Sequence, residues 1–305
     1  MDRAEVRVAA VDIGTNTVRM LVADVVGDRI QDLARAVDVV GLGRGLDASG
    51  VMAADSMDAA IAALTEYGRR IRETMPSRLR VVATAASRDA SNSDELMARI
   101  EAALGVAADV ITGEDEAALA FAGAIWGAGT KGRHLVIDPG GGSTEFVSGA
   151  ERPETAVSVD IGSVRLTDRC FATLPPMSAE VDSATSLVRE MFGTVPIPEP
   201  PLTGIGVAGT FTSLAGIQLE LDRYDRVRIH RTVLGIADLE RLVQHLAGMT
   251  LEETAAIPSL DPKRAPVILA GAIVALEAVR RSGLDAVTVS ETDMLEGIVL
   301  GLTRE

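Results

Sequence analysis

The chain has 305 residues, a formal net charge of −15 at pH 7, a pI near 4.7 and only 3% aromatic residues. Such an acidic chain is disfavoured as a binder of nucleic acid or of anionic membranes, and few aromatic rings are available to stack on nucleobases. No apolar run reaches about 18 residues, the N-terminus lacks the order of a signal peptide, and Cys170 is the single cysteine. We therefore expect a cytoplasmic protein of two domains without disulfides.

The first half of the chain is predicted to contain three strands followed by alternating helices and strands. Val6 to Ile13 is a buried strand, Gly14 to Thr17 is a turn, VRMLVADVV is the second strand, and Ile30 to Val40 is the third. Hydrophobic spacing then predicts a helix from about Ser56 to Arg72, a strand in LRVVATAAS, a helix in SDELMARIEAAL, a short strand in ADVIT and a helix in EDEAALAFAGAIW. Ser93 is the expected N-cap of the second helix.

The second half repeats much of this order, beginning with a strand from His134 to Asp138, a glycine turn and a strand from Ala156 to Ile161. The proline-rich run PIPEPP, residues 196–201, predicts a surface linker within this half. The remaining predicted elements are helices at Val164 to Phe171 and Ser178 to Phe192, strand LTGIGVAGT, helix FTSLAGIQLEL, helices at Ala237 to Ala247 and Val267 to Arg281, strand DAVTVS and helix MLEGIVLGL. Alternating strands and helices predict an α/β fold with a largely parallel core.

Two glycine turns share one design. In DPGGGSTEF, the consecutive glycines Gly140, Gly141 and Gly142 allow successive N–H groups to converge on one anion. Asp138 and Glu145 bracket this turn, and carboxylates beside a phosphate cradle indicate a metal ion. The matching pairs in the first turn are Asp12 with Asp138, Gly14 with Gly140, Thr17 with Ser143 and Arg19 with Glu145. The match indicates an internal duplication, and two unrelated glycine turns are the alternative.

Three further stretches place candidate ligands at the ends of predicted strands, where open α/β sheets bind ligands. Arg88 follows one strand, and its guanidinium suits phosphate, although a solvated surface arginine is the simpler reading. Thr112 to Ala118, TGEDEAA, places three acids at a helix start, where acids also stabilise the helix, so one of them is a candidate general base. Gly209 and Thr210 begin a helix after a strand, which fits either a phosphate cradle or tight packing.

Taken together, DIGTNTVRMLV, ATAASRDASN, TGEDEAALAF, VIDPGGGSTEFV, SVDIGSVRLTDR and GVAGTFTSLAGI, in this order and spacing, resemble the motifs of the exopolyphosphatase/guanosine pentaphosphate phosphatase (Ppx/GppA) family. The resemblance covers almost the whole chain and fits the short, two-domain form of the family. It implies two ribonuclease-H-like domains of the actin-like ATPase superfamily, residues 1–127 and 128–305, on either side of a cleft. The final helix is expected to pack back on the first domain, and the resemblance also implies a homodimer.

The same resemblance implies Mg²⁺-dependent release of the terminal phosphate of inorganic polyphosphate, or removal of the 5′ γ-phosphate of guanosine pentaphosphate. The implied Mg²⁺ ligands are Asp12, Asp138 and Glu145, and the implied catalytic acids are Asp115, Glu116, Asp138 and Glu145. The implied phosphate-binding residues are Gly14, Thr15, Asn16, Thr17, Arg19, Arg88, Gly140, Gly141, Gly142, Ser143, Thr144, Gly209 and Thr210.

The chain departs from the family pattern next to the expected base. Where many relatives have Gly-x-Glu-Glu-Ala, this chain places Asp115 at the position of the presumed base, so that Asp115, Glu114 or Glu116 takes that role. Ala118 stands where an arginine commonly follows. Three hypotheses stay open: a polyphosphate hydrolase that favours short chains because the protein is acidic, a guanosine pentaphosphate hydrolase, and a weakly active regulator that binds alarmone nucleotides.

Overall fold

The computed structural model describes residues 5–27, 29–129, 131–196, 199 and 202–303. The chain forms two compact units, one made of Met1–Gly123 with Met294–Glu305 and the other of Ala124–Asp293. The predicted domain boundary at 127/128 lies slightly further along the chain and stays a prediction. Most of the proline-rich run predicted as a linker lies outside the described residues. Within the described ranges, no helix is both long and apolar enough to cross a bilayer.

The first unit is built around a five-stranded sheet. Its strands are β1 (Val6–Ile13), β2 (Thr17–Val26), β3 (Arg29–Val39), β4 (Arg78–Ala83) and β5 (Asp109–Val110), in the spatial order β3-β2-β1-β4-β5. Its helices are α1 (Leu46–Ser49), α2 (Ala54–Thr74), α3 (Ala85–Asp89), α4 (Ser93–Leu104), α5 (Gly113–Ala128) and the final helix of the chain, Met294–Leu302. Helix α5 begins in this unit and ends in the second.

The second unit contains a six-stranded sheet. Its strands are β6 (His134–Pro139), β7 (Thr144–Gly149), β8 (Pro153–Val159), β9 (Thr203–Gly206), β10 (Val233–Gly235) and β11 (Ala286–Val289), in the order β10-β11-β9-β6-β7-β8. Its helices are α6 (Ser163–Cys170), α7 (Ser178–Phe192), α8 (Ala208–Gln218), α9 (Arg226–Ile229), α10 (Ile236–Ala247), α11 (Leu251–Ala255) and α12 (Ile268–Arg281), with a 3-10 turn at Pro262–Arg264. The final helix of the chain is therefore α13.

The two sheets repeat one arrangement of strands. The order β3-β2-β1-β4 in the first sheet recurs as β8-β7-β6-β9 in the second, with the same antiparallel and parallel pairings. This repetition confirms the predicted α/β fold and its internal duplication. The expectation of a largely parallel core was wrong in detail, because each sheet joins antiparallel hairpin strands to parallel neighbours. Direct hairpin connections force that antiparallel pairing, whereas parallel neighbours need a longer crossover.

Burial follows the sequence pattern. In the first unit, Leu64 of α2 and Ile100 of α4 lie in the core on one side of the sheet, while Ile298 of α13 lies in a separate core with Leu21. In the second unit, almost every residue of α12 is buried. Residues 8–11 in the middle of β1 form a continuous apolar run, as expected of a strand whose two faces are both covered. The ends of these strands, rather than their middles, are left to carry polar side chains.

Most predicted helices form where expected, and α7 and α13 match to the residue. The segment ATAAS was predicted as strand, yet β4 ends at Ala83 and α3 begins at Ala85. Alanine favours helix, so the chain turns into one as soon as the sheet pairing stops. Ser93 was predicted as an N-cap but is the first residue of α4, after Asn92. The Asn92 side chain instead bonds the backbone of Met52 at 2.9 and 3.0 Å.

Candidate active site

The first hairpin turn presents backbone donors. The N–H of Gly14 donates to the carbonyl of Thr17 at 2.9 Å and closes the turn. The carbonyls of Thr15 and Asn16 accept N–H groups of the segment 40–43 at 2.8 to 3.0 Å. In a planar trans peptide the next N–H points opposite to the carbonyl, so the N–H groups of Asn16 and Thr17 point away from that segment. Two successive donors directed away from the loop suit a phosphate oxygen.

The second hairpin turn also presents backbone N–H donors, and here they belong to glycines. The N–H of Gly140 donates to the carbonyl of Ser143 at 2.9 Å, which repeats the closure of the first turn. The carbonyls of Gly140 and Gly141 accept N–H groups from the first turn of α6 at 2.9 to 3.2 Å. The N–H groups of Gly141 and Gly142 are consequently directed away from α6. The hydrogen bonds from α6 to the glycine carbonyls therefore hold the predicted phosphate-binding turn in place.

Gly162 packs directly against this cradle, and the sequence reasoning did not single it out. A Cβ added to Gly162 would lie 2.6 Å from the carbonyl oxygens of Gly140 and Gly141. No side chain fits there without displacing the loop backbone. The signal was present in the motif SVDIGSVRL, which places Gly162 just before α6.

The two hairpins differ in the residue that faces the aspartate. Asp12 pairs across β1 and β2 with Arg19, whose Nε and Nη2 lie 2.7 and 2.6 Å from Oδ2 of the aspartate. At the matching position in the second hairpin, Glu145 lies opposite Asp138. Glu145 is 1% exposed, and its Oε1 accepts a hydrogen bond of 2.7 Å from the hydroxyl of Ser158. The first hairpin therefore carries a neutralised pair, and the second carries two carboxylates.

Arg88 and Glu116 form the second polar cluster of the first unit. Arg88 lies in α3, just after β4, and Glu116 lies in the first turn of α5. The guanidinium Nη1 donates to Oε2 of Glu116 at 3.0 Å and to the carbonyl of Ile111 at 2.8 Å. Burial raises the pKa of Glu116 above its usual range, with Arg88 opposing the rise and Asp12 adding to it. A buried carboxylate with a raised pKa is a suitable general base.

Asp115 has a different environment from its neighbour. It is exposed, its Oδ2 accepts the Thr112 hydroxyl at 2.8 Å, and its own N–H donates to that hydroxyl at 3.1 Å. These bonds resemble a capping box, in which the residue three positions into the helix stabilises the helix start. Glu114 is exposed as well. Of the three acids in this turn, the structure therefore places only Glu116 against Arg88.

Two hydroxyls predicted to bind phosphate have other partners. Thr144 is fully buried and donates from Oγ1 to the carbonyl of Ile161 at 2.6 Å. Thr210 donates from Oγ1 to the carbonyl of Pro139 at 2.9 Å. Each hydroxyl donates its proton to a backbone carbonyl of the chain. Both side chains therefore stabilise the backbone around the glycine turn. A role for either residue toward phosphate would rest on its backbone N–H.

Arg264 is a candidate residue that the sequence reasoning missed. A Cβ on Gly209, in the first turn of α8, would lie 2.1 Å from Nη1 of Arg264. The guanidinium therefore rests on the helix start that was predicted to bind phosphate, and the missing side chain of Gly209 makes room for it. Arg264 lies in none of the recognised motifs, and only the folded chain brings it to Gly209.

The donor set of the second hairpin suits Mg²⁺. This ion takes oxygen ligands and is usually held by one or two carboxylates together with substrate phosphates. Asp138 and Glu145 supply two carboxylates in directly paired positions. Among the residues that the structure describes, no group of three or more His, Cys, Asp or Glu side chains is arranged to hold a metal. Oδ2 of Asp12, the third predicted ligand, accepts hydrogen bonds from the guanidinium of Arg19.

Comparison with known proteins identifies the family. The model of the Ppx/GppA phosphatase family matches residues 21–305. Exopolyphosphatase 2 of Mycobacterium tuberculosis is 42% identical, over 97% of this chain and 98% of that protein. A solved exopolyphosphatase-like protein superposes with a TM-score of 0.92 at 33% identity over 98% of both chains. The Ppx/GppA family member of Aquifex aeolicus gives a TM-score of 0.83 at 29% identity, over 99% and 98% of the two chains.

The class that the fold and the family match define is that of phosphoanhydride hydrolases with a duplicated α/β fold. Within that class, the chain belongs to the Ppx/GppA phosphatase family. The motifs that carried the resemblance include the two hairpin turns and the Arg88 and Glu116 segments described above.

Proposed function

We propose that the chain is a Mg²⁺-dependent exopolyphosphatase that releases the terminal phosphate of inorganic polyphosphate. The similarity to Exopolyphosphatase 2 over almost the full length of both chains supports this substrate. The observation that carries the proposal is the contact between Glu116 and Arg88. Glu116 is a largely buried carboxylate with a raised pKa, and it accepts a hydrogen bond from Arg88, the proposed phosphate ligand. A base beside a phosphate ligand is what attack by water on phosphorus requires.

In the proposed reaction, Glu116 takes a proton from a water molecule while the water oxygen forms a bond to the terminal phosphorus. The P–O bond to the rest of the chain breaks in line with this attack, and the shortened polyphosphate leaves with the bridging oxygen. Arg88 and Arg19 offset negative charge on the phosphate oxygens. The N–H donors of Asn16 and Thr17 in the hairpin of the first unit, and those of Gly141 and Gly142 in the hairpin of the second unit, would each bind phosphate oxygens.

Asp138 and Glu145 would hold Mg²⁺. When bound, the ion neutralises charge on the phosphate oxygens and on the leaving group. The net charge of −15 disfavours long polyanions, so we propose that short chains are better substrates than long ones. The homodimer implied by the family resemblance stays a prediction.

The test is phosphate release from polyphosphates of graded length and from guanosine pentaphosphate, each with Mg²⁺ and with a chelator. We expect release from short polyphosphate that stops when the metal is removed. If phosphate is released faster from guanosine pentaphosphate than from polyphosphate, the nucleotide is the substrate instead. If the chelator does not affect release, the proposed dependence on Mg²⁺ is wrong. If no phosphate appears from any substrate while the nucleotide binds, the regulator hypothesis is favoured instead.

A further inference from the structure

Three side chains lie in one row across the second sheet. Asp138 on β6 pairs with Glu145 on β7, and Glu145 pairs in turn with Ser158 on β8. Directly paired residues of neighbouring strands project from the same face of a sheet. The row therefore brings a carboxylate, a second carboxylate and a hydroxyl side by side, next to the glycine turn.

Glu145, the middle residue of this row, carries a charge that its surroundings disfavour. Like charges directly opposite each other across two strands are destabilising. Glu145 is also 1% exposed, so little water is available to solvate its carboxylate. Something within the fold must fix the direction of this group. The Ser158 hydroxyl does so by donating to Oε1 at 2.7 Å, a short bond typical of a hydroxyl on a carboxylate.

Ser158 has no evident packing role that would explain its position. It lies on β8, the outer strand of the sheet, and its side chain is exposed. Its hydroxyl is used on Glu145. Removing the hydroxyl would therefore delete one hydrogen bond without opening a cavity in the core.

We propose that Ser158 is a positioning residue for the metal-binding carboxylate: its hydroxyl holds one oxygen of Glu145 and so fixes the orientation in which this carboxylate, together with Asp138, would meet Mg²⁺. The inference rests on the proposed function, which names Mg²⁺ as the ion. It assigns a role to a residue that the motif comparison left without one. Mutation of groups that orient metal ligands in this way typically lowers metal affinity by about 10–100-fold.

The test is a calorimetric titration of Mg²⁺ into the free protein, with the metal dependence of phosphate release as a second measurement. For Ser158→Ala we expect Mg²⁺ affinity to fall by roughly 10-fold or more. Ser158→Thr keeps the hydroxyl and should restore most of that affinity. A loss caused only by damage to the strand would not be restored in this way.

The chain offers a matched control on the same two strands. Thr155 also lies exposed on β8, and its hydroxyl bonds across to Ser148 on β7 at 2.7 Å. Thr155→Val removes that bond while keeping the shape of the side chain, and Mg²⁺ affinity should not change. If Ser158→Ala binds Mg²⁺ as tightly as the unaltered protein, the positioning role is overturned and the proposed function stands. If the unaltered protein neither binds nor requires Mg²⁺, the metal part of the proposed function fails first.

Discussion

Arg88 donates a hydrogen bond of 3.0 Å to Glu116. The proposed phosphate ligand and the proposed base are therefore paired with each other in the absence of substrate. The contact fixes the direction of a carboxylate that is only 13% exposed. It also opposes the effect of burial on the pKa of Glu116. A substrate phosphate would compete with Glu116 for the guanidinium. Once Arg88 turns to phosphate, Glu116 loses a cationic neighbour and accepts a proton more readily.

The first prediction concerns the identity of the base. Glu116→Gln should lower kcat for phosphate release by roughly 100-fold or more, the range that a general base contributes. The amide oxygen of glutamine can still accept the hydrogen bond from Arg88, so the fold should be kept. Initial rates on short polyphosphate, with circular dichroism as a check on folding, measure the effect.

The neighbouring acid provides the control for that variant. Asp115→Asn removes the charge from an exposed side chain that bonds Thr112, so activity should be largely kept. The cost in stability should be about 1 kcal/mol or less, as for other changes at a helix start. An inactive Asp115→Asn together with an active Glu116→Gln would return the base to Asp115.

The second prediction concerns stability as a function of pH. Burial raises the pKa of Glu116 above its ordinary value of 4.5, so between these two values the folded chain binds more protons than the unfolded chain. The stability that this group contributes is then complete below pH 4.5 and is lost as pH rises through the folded-state pKa. Glu116→Gln cannot ionise and should escape this loss. Its unfolding midpoint should exceed that of the unaltered protein at neutral pH, by a margin that shrinks toward pH 4.5.

A lower midpoint for the variant at neutral pH would mean that the ion pair with Arg88 outweighs the burial of the carboxylate. Thermal unfolding of both proteins across that pH range separates the two outcomes. If Glu116→Gln is inactive and yet more stable, the charged Glu116 carboxylate is a group that serves catalysis at a cost in stability.

The third prediction concerns the support of the glycine turn. Gly162→Ala would place a methyl group 2.6 Å from the carbonyl oxygens of Gly140 and Gly141. The backbone must shift, which should cost about 1–3 kcal/mol of stability. Because α6 holds the turn in place, the shift should also misdirect the N–H donors and lower phosphate release. Chemical unfolding and enzyme rates measure the two effects.

Gly301, in α13, is a suitable control for that substitution. A Cβ there would meet nothing within 4 Å. Gly301→Ala should leave the rate unchanged and raise stability by up to about 1 kcal/mol, because alanine favours helix over glycine. Equal rates in both variants would show that Gly162 does not support the turn.

The sequence allowed the hairpins to be predicted because their design is local. The register that pairs Asp12 with Arg19 and Asp138 with Glu145 follows from the spacing of residues around each turn. Helix α7 has both periodicity and length, and it was predicted to the residue. Strand β10 has only three residues and no periodicity, and it was not predicted.

The choice between the acids of α5 could not be made from the sequence. Glu116 differs from Asp115 because it is much less exposed and contacts Arg88, which lies 28 positions away in the chain. Neither property is encoded in the local pattern, in which both residues simply sit in a first helical turn. The same holds for Arg264, which reaches Gly209 only through the packing of the second unit.

The last prediction concerns the ion pair of the first hairpin. The Asp12 side chain is 3% exposed and the Arg19 side chain 17%, so the pair is largely removed from water. Arg19→Met would leave the buried carboxylate without its guanidinium and should cost about 3–5 kcal/mol of stability. Adding Asp12→Asn removes the charge as well and should restore a substantial part of this loss, because breaking a buried pair costs more than replacing it. Urea unfolding of the two single variants and the double variant gives the coupling energy between the residues. Additive losses in that cycle would mean that Arg19 does not stabilise Asp12.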